Sequence, residues 1–180
     1  MPAVHMTASV YLFAEVEHEW RIGLIEHPRL GGCMIPGGHV EDEMPSDAAV
    51  RETIEETGRT PRLLPPPGIA IPERYPHPLV NSPWWIVRMP VKPDRYLPTQ
   101  HIHEDHQYVA IADHPDQETH VAEHPFQWAT VGDLPKLSVP AGTLVVAHTL
   151  FDLLQAQGVD ALTRHRAPVP RLPTPHPWPA

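Results

Sequence analysis

The sequence predicts an α/β protein in which two helices accompany a series of strands. Short stretches rich in β-branched and aromatic residues recur along the chain, such as SVYLFAEV over 9–16 and WWIVRM over 84–89. That composition between turn signals marks strands. Two segments break the pattern with helical character. One carries alanine and glutamate over 47–57 and ends at Gly58; the other runs over 141–157 with apolar residues at helical spacing.

Taken in order, Ser9 to Val16 reads as a strand and Trp20 to Glu26 as a second, with Glu17-His18-Glu19 as the turn between them. Gly31-Gly32 breaks the chain, and Cys33-Met34-Ile35 leads into Pro36-Gly37-Gly38. The first helix is expected from about Asp47 to Thr57, with Ser46 as N-cap and Gly58 as stop. Ala48, Ala49, Val50 and Ile54 give it a small apolar face. Arg62-Leu63-Leu64 starts a strand that Pro65-Pro66-Pro67 interrupts, and Ile69 to Ile71 is a short apolar run. Residues 72–83 read as a proline-rich loop. Trp84 to Met89, His106 to Ala112 and Phe126 to Thr130 read as strands, with an acidic turn or loop over Asp113 to Glu123. The second helix is Ala141 to Gln157, with Leu144, Val145, His148, Phe151, Leu154 and Gln155 near one face.

At 180 residues and 41% hydrophobic content the chain can build one domain with a real core. A net charge of −9 argues against a broad basic nucleic-acid surface. Cys33 is the only cysteine, so no intramolecular disulfide can form. Met1 to Val10 lacks the pattern of a signal peptide, and no apolar run reaches membrane-span length. A cytoplasmic protein without a membrane partner is the expectation. The 25 prolines imply many stiff connections, and most of the 14 histidines are scattered.

The chemistry concentrates after the glycine turn. Glu52, Glu55 and Glu56 are spaced i, i+3, i+4, which puts three carboxylates on one face of a helix. They repel one another unless water, a cation or a partner neutralises them. A hard ion such as Mg²⁺ suits such oxygen ligands. The plainer alternative is a solvated face in which Arg51 pairs with Glu55.

Gly37, Glu43, Arg51, Glu52, Glu55, Glu56 and Gly58 fall on the fixed letters of G-x5-E-x7-R-E-U-x-E-E-x-G-U, where U is bulky and apolar. Each letter matches by chance about one time in twenty, so seven in register is a strong signal. The segment resembles the Nudix box, with Thr53 and Arg59 departing at the two U positions. The resemblance spans about residues 7–158. It implies an α/β/α sandwich around a mixed sheet, with a hydrolase domain over 1–160. Outside the box it rests on weaker features, including Trp128 ahead of Gly132-Asp133-Leu134.

That resemblance implies a hydrolase of a pyrophosphate bond in a nucleotide or a nucleoside diphosphate linked to another moiety, dependent on Mg²⁺ or Mn²⁺. Glu52, Glu55 and Glu56 would ligate metal, helped by the Gly37 carbonyl. Glu55 would also serve the attacking water. Glu43 and Arg51 would orient the others, and Gly38 and Gly58 would shape the backbone. The base is a box glutamate or one on a later loop: Glu104, Glu118 or, favoured by its position before the Phe126 strand, Glu123. Substrate contacts are expected from His103, His106, Tyr75 and Tyr108, with Trp84 and Trp85 as further stacking candidates. His101 and His103 share a strand face. Contact with phosphate or base and plain surface are the leading readings of that cluster, with a zinc site last. Dimers are common among relatives, so a homodimer is an expectation by analogy. The loop spacing after the box does not name a substrate.

Two other classes compete. A non-catalytic nucleotide-ligand sensor of the same fold usually loses box glutamates, which are all present here. An isopentenyl diphosphate isomerase-like enzyme needs a catalytic cysteine, for which only Cys33 is available. The last stretch, 161–180, is a proline-rich tail without acidic residues from Arg164 onward. Its Arg164, Arg166 and Arg171 could reach an acidic surface.

Overall fold

The computed structural model describes residues 2–28, 31–68, 71, 74–94, 96–159 and 162. Eight strands form one mixed sheet: β1 (Val4–Val16), β2 (Glu19–His27), β3 (Gly32–Met34), β4 (Gly37–His39), β5 (Arg62–Leu63), β6 (Trp85–Val91), β7 (His101–Ile111) and β8 (Phe126–Ala129). The main order is β3-β2-β1-β7-β5, with β4 on β1, β6 on β7 and β8 on β2. Among the described residues only the central pair, β1 with β7, is parallel, running from Val4 opposite Ile102 to Phe13 opposite Ile111.

The helices α1 (Pro45–Thr57) and α2 (Ala141–Gln157) cover opposite faces. Strand alternation on β1 divides the core in two. Ala8, Val10, Leu12 and Ala14 meet Ala48 and Ala49 of α1, together with Tyr108 and Ala110 of β7. Tyr11 and Phe13 point the other way, to Ala147, Leu150, Phe151 and Leu154 of α2. Alanines on α1 let its backbone approach the sheet, which brings its glutamates close to β4. Phe13 and Phe151 meet edge to face at 5.2 Å, and truncating Phe151 to alanine would cost about 3–5 kcal/mol.

The β1–β2 turn holds Glu17 and His18 at φ of 53° and 66°, the left-handed pair that a tight hairpin requires. Several boundaries differ from expectation. Helix α1 starts at Pro45 with Met44 as N-cap and no side-chain cap bond. Pro45 presets the first turn without needing a partner for an N–H, and Ser46 is buried inside it. Strand β1 begins at Val4 and β7 at His101, because each supplies the other's ladder across polar residues. Pro90 and Val91, beyond the expected Trp84 to Met89 run, end β6 as an edge strand beside β7, where a missing N–H is tolerated. On α2 the buried stripe is Ala147, Leu150, Phe151 and Leu154, whereas Val145 is 69% exposed. A 3-10 turn over Leu134–Lys136 was not foreseen. The proline-rich tail lies outside the described residues apart from Leu162, as does most of the Ile69–Ile71 run.

Among the described residues no helix is long and apolar enough to cross a membrane.

Candidate active site

The site forms where β4 meets α1. Gly37 and Gly38 pair with Ser9 and Ala8 of β1. Gly37 has φ +158°, and a Cβ there would strike the Ala8 carbonyl and come within 2.7 Å of Ser9 Cα. A Cβ on Gly38 would fall on the Glu52 carboxylate. The two glycines therefore leave room for helix carboxylates against bare strand backbone. The Gly37 amide uses that room to donate to Glu56 Oε2 at 2.8 Å.

Arg51 organises the other acids. Its Nε and Nη2 reach Glu43 Oε1 at 2.9 and 2.7 Å, and Nη1 reaches Glu52 Oε1 at 2.8 Å and Glu55 Oε2 at 3.0 Å. Nη2 also donates to the His39 carbonyl at 3.1 Å. A planar five-donor fork can satisfy this many acceptors at once; an ammonium cannot. The bonds to Glu43 hold the guanidinium more firmly charged than usual, against the opposing effect of burial.

The loop after β7 returns to this helix. Its Glu123 amide donates to the Glu55 carbonyl at 2.9 Å, and its Thr119 amide to the Gly58 carbonyl at 2.9 Å. Gly58 itself closes α1 at φ +70°, where a Cβ would strike the His120 carbonyl. Arg59, at an apolar letter of the box, donates to the Pro115 carbonyl at 2.7 Å and lies 5.1 Å from the Phe126 ring centroid. The charge thus packs on an aromatic face. Thr53, at the other such letter, is fully buried with its hydroxyl on the Ala49 carbonyl.

Four carboxylates act on one another here. Burial pushes Glu56 up to about 8; the Gly37 amide opposes this, while Glu52, Glu123 and Glu55 add to it. Burial likewise raises Glu52, with Arg51 opposing and Glu55 and Glu123 reinforcing. Such crowding resists full ionisation until a cation enters. The donors are all oxygens, so the residues fit Mg²⁺ or Mn²⁺. His124 was missed by sequence reasoning. Its Nε2 lies 3.6 Å from Glu56 Oε1, and adjacency to Glu123 was the only signal for it.

The structure brings Gly37, Gly38, Glu43, Arg51, Glu52, Glu55, Glu56 and Glu123 together. Tyr108 is 1% exposed beneath α1, so it packs the core and does not offer a stacking face. Tyr75 is half exposed with its ring against His77. His103 and His106 sit at odd and even positions of β7 and so face opposite sides of the sheet. Glu104 is paired with Arg88 at 2.6 Å and Glu118 with Arg59 at 3.3 Å. Trp84 donates to the Leu64 carbonyl and packs on the α2-side core, while Trp85 meets Tyr11 edge to face. Cys33 is buried beside Gln127, and burial raises its thiol, which does not suit a catalytic cysteine.

The family model described as NUDIX domain matches residues 4–144. No curated protein matches the sequence. Among solved structures, a NUDIX-family hydrolase from Clostridium perfringens aligns at TM-score 0.65 and 25% identity, over 83% of this chain and 97% of its own. A C. elegans Ap4A hydrolase in a binary complex aligns at TM-score 0.57 and 17% identity, over 84% and 98%. The NUDIX domain of Shewanella oneidensis NrtR, complexed with ADP ribose, aligns at TM-score 0.52 and 18% identity, over 86% and 90%.

Proposed function

Because the chain belongs to the Nudix family, we propose that it is a Mg²⁺- or Mn²⁺-dependent hydrolase of a pyrophosphate bond. Its substrate class is a nucleotide or a nucleoside diphosphate linked to another moiety. The observation that carries this reading is the mutual approach of Glu52, Glu55, Glu56 and Glu123 beside Gly37 and Gly38. Two structural neighbours support the substrate class: one is an Ap4A hydrolase and the other holds ADP ribose.

Glu52, Glu55, Glu56 and the Gly37 carbonyl would hold the ion. A bound divalent ion supplies neutralisation of charge developing on phosphoryl oxygens. The chain's own residues do the rest. Arg51 fixes the rotamers of Glu43, Glu52 and Glu55, so these acids need no reorganisation when substrate arrives. The Gly37 amide fixes Glu56 in the same way. Glu123 sits on a loop pinned to α1 by its own amide, and its exposed carboxylate can accept a proton from the attacking water. Glu55 is the second candidate for that role, although one of its oxygens is already committed to Arg51.

Phosphate or nucleotide release is measured over a panel of dinucleoside polyphosphates, nucleoside triphosphates and sugar nucleotides, with Mg²⁺ or Mn²⁺, beside Glu56→Gln. Metal-dependent turnover of one class, abolished by the substitution, supports the hydrolase. Ligand-induced thermal stabilisation with no turnover on any substrate would transfer the case to a nucleotide sensor.

A further inference from the structure

A second cluster of ligand-type side chains lies outside the box carboxylates. His39 comes from β4, His101 and His103 from one face of β7, and Asp94 from the segment between β6 and β7. Asp94 is held like an oriented ligand. Its Oδ1 accepts the Tyr96 and Leu97 amides at 2.8 and 2.9 Å. Its Oδ2 faces the Nε2 atoms of His101, His103 and His39 at 3.4, 3.6 and 3.9 Å. His101 Nε2 is 3.2 Å from His103 Nε2.

The proton positions sharpen this picture. His101 Nδ1 lies 3.0 Å from the Thr99 carbonyl, which can only accept. Nδ1 therefore carries a proton, and neutral His101 turns the lone pair of Nε2 toward Asp94 and His103. A lone pair facing a carboxylate oxygen at that distance is repulsive unless a proton or a metal ion lies between them. The same Nδ1-to-carbonyl bond is the usual device that orients a metal-ligating imidazole.

We propose that His39, Asp94, His101 and His103 form a second metal site, for a transition ion of the Zn²⁺ type. Tetrahedral zinc with bonds of about 2.0–2.1 Å places its ligand atoms about 3.3 Å apart. The separations of 3.2, 3.4 and 3.6 Å lie around that value. His39 stands somewhat farther out, 3.9 Å from Asp94, and the ligand atoms of His39, Asp94 and His103 lie within 4.8 Å of one another. Three imidazoles and one carboxylate are a donor set that borderline ions take and Mg²⁺ does not. His101 is fully buried, whereas His39, Asp94 and His103 keep 16–19% of their side chains exposed, so the pocket is sheltered but reachable. An ion here would tie the segment after β6 to β4, whose His39 carbonyl holds Arg51.

The test uses full-length protein without an affinity tag, in saturating Mg²⁺ so that the carboxylate site is filled. Co²⁺ is titrated by visible absorption and Zn²⁺ by competition with a chromophoric chelator. One equivalent giving the intense bands of four-coordinate Co²⁺ is expected for wild type and for Glu56→Gln. Asp94→Asn and His39→Gln should each weaken Zn²⁺ binding by tenfold or more while keeping the far-ultraviolet dichroism. A pale six-coordinate spectrum or no binding in wild type overturns the proposal and leaves a shared proton as the cation. Retained affinity in both variants, or its loss in Glu56→Gln, overturns it as well. Turnover does not enter any of these readouts, so this site and the hydrolase reading stand or fall separately.

Discussion

Gly37 and Glu56 are joined by a 2.8 Å hydrogen bond from the Gly37 amide to the Glu56 carboxylate. Together with the bond from Arg51 to the His39 carbonyl, it ties strand β4 to helix α1. Burial nevertheless dominates, and Glu56 stands at about 8 against an ordinary value of 4.5.

This predicts how stability depends on pH. The folded state binds the Glu56 proton more tightly than the unfolded chain does. The associated stability is fully present below about pH 4.5 and drains away as pH rises through about 8. In chelator, Tm should fall across that window. For a domain of this size each kcal/mol corresponds to about 2–4 °C. Glu56→Gln should flatten the slope, and Mg²⁺ should raise Tm most at the alkaline end. Melts of both proteins across the window check it; parallel slopes would sink the assignment.

Arg51→Lys keeps the charge but loses the fork that reaches Glu43, Glu52, Glu55 and the His39 carbonyl. A stability loss of about 1–3 kcal/mol is expected from acceptors left without donors. Turnover should fall further than stability does, since three acids lose their alignment. Urea denaturation and steady-state kinetics on one preparation measure both.

Glu123→Gln should leave the fold intact, because the side chain is exposed and the tie to Glu55 is made by the backbone amide. If Glu123 is the base, kcat falls about 10²–10⁴-fold and the acidic limb of the pH–rate profile shifts. A loss smaller than tenfold with an unchanged profile would give the role to Glu55.

Gly38→Ala places a methyl group on the Glu52 carboxylate. Overpacking of this kind costs about 1–3 kcal/mol. Because Glu52 must swing away, affinity for Mn²⁺ should drop at least tenfold. Calorimetric titration of Mn²⁺ into both proteins reads this directly; equal affinities would show that Glu52 does not ligate.

Legibility in the sequence followed the range of the interaction. Both helices, the glycine stop at Gly58, the hairpin at Glu17 and His18 and the box register are local, set by spacing along one element. The helix start moved to Pro45 because a proline at the first position competes with a side-chain cap one residue on. The strands β1 and β7 were read short because their polar ends, such as His5 and His103, carry no hydrophobic alternation. They extend because each pairs with the other.

Local signals along the chain carry the α/β class, the family resemblance and the set of residues that share the glutamate face of α1. The class and the shared face rest on periodicity within single elements, and the family on the spacing of the box letters from Gly37 to Gly58. Long-range pairing is what returns the Glu123 loop to Glu55, puts Tyr108 under α1 and seats Asp94 against three histidines from two strands. These placements depend on which strands pair and which face each side chain takes. Both are fixed by burial of the whole sheet between two helices, a condition no local window contains.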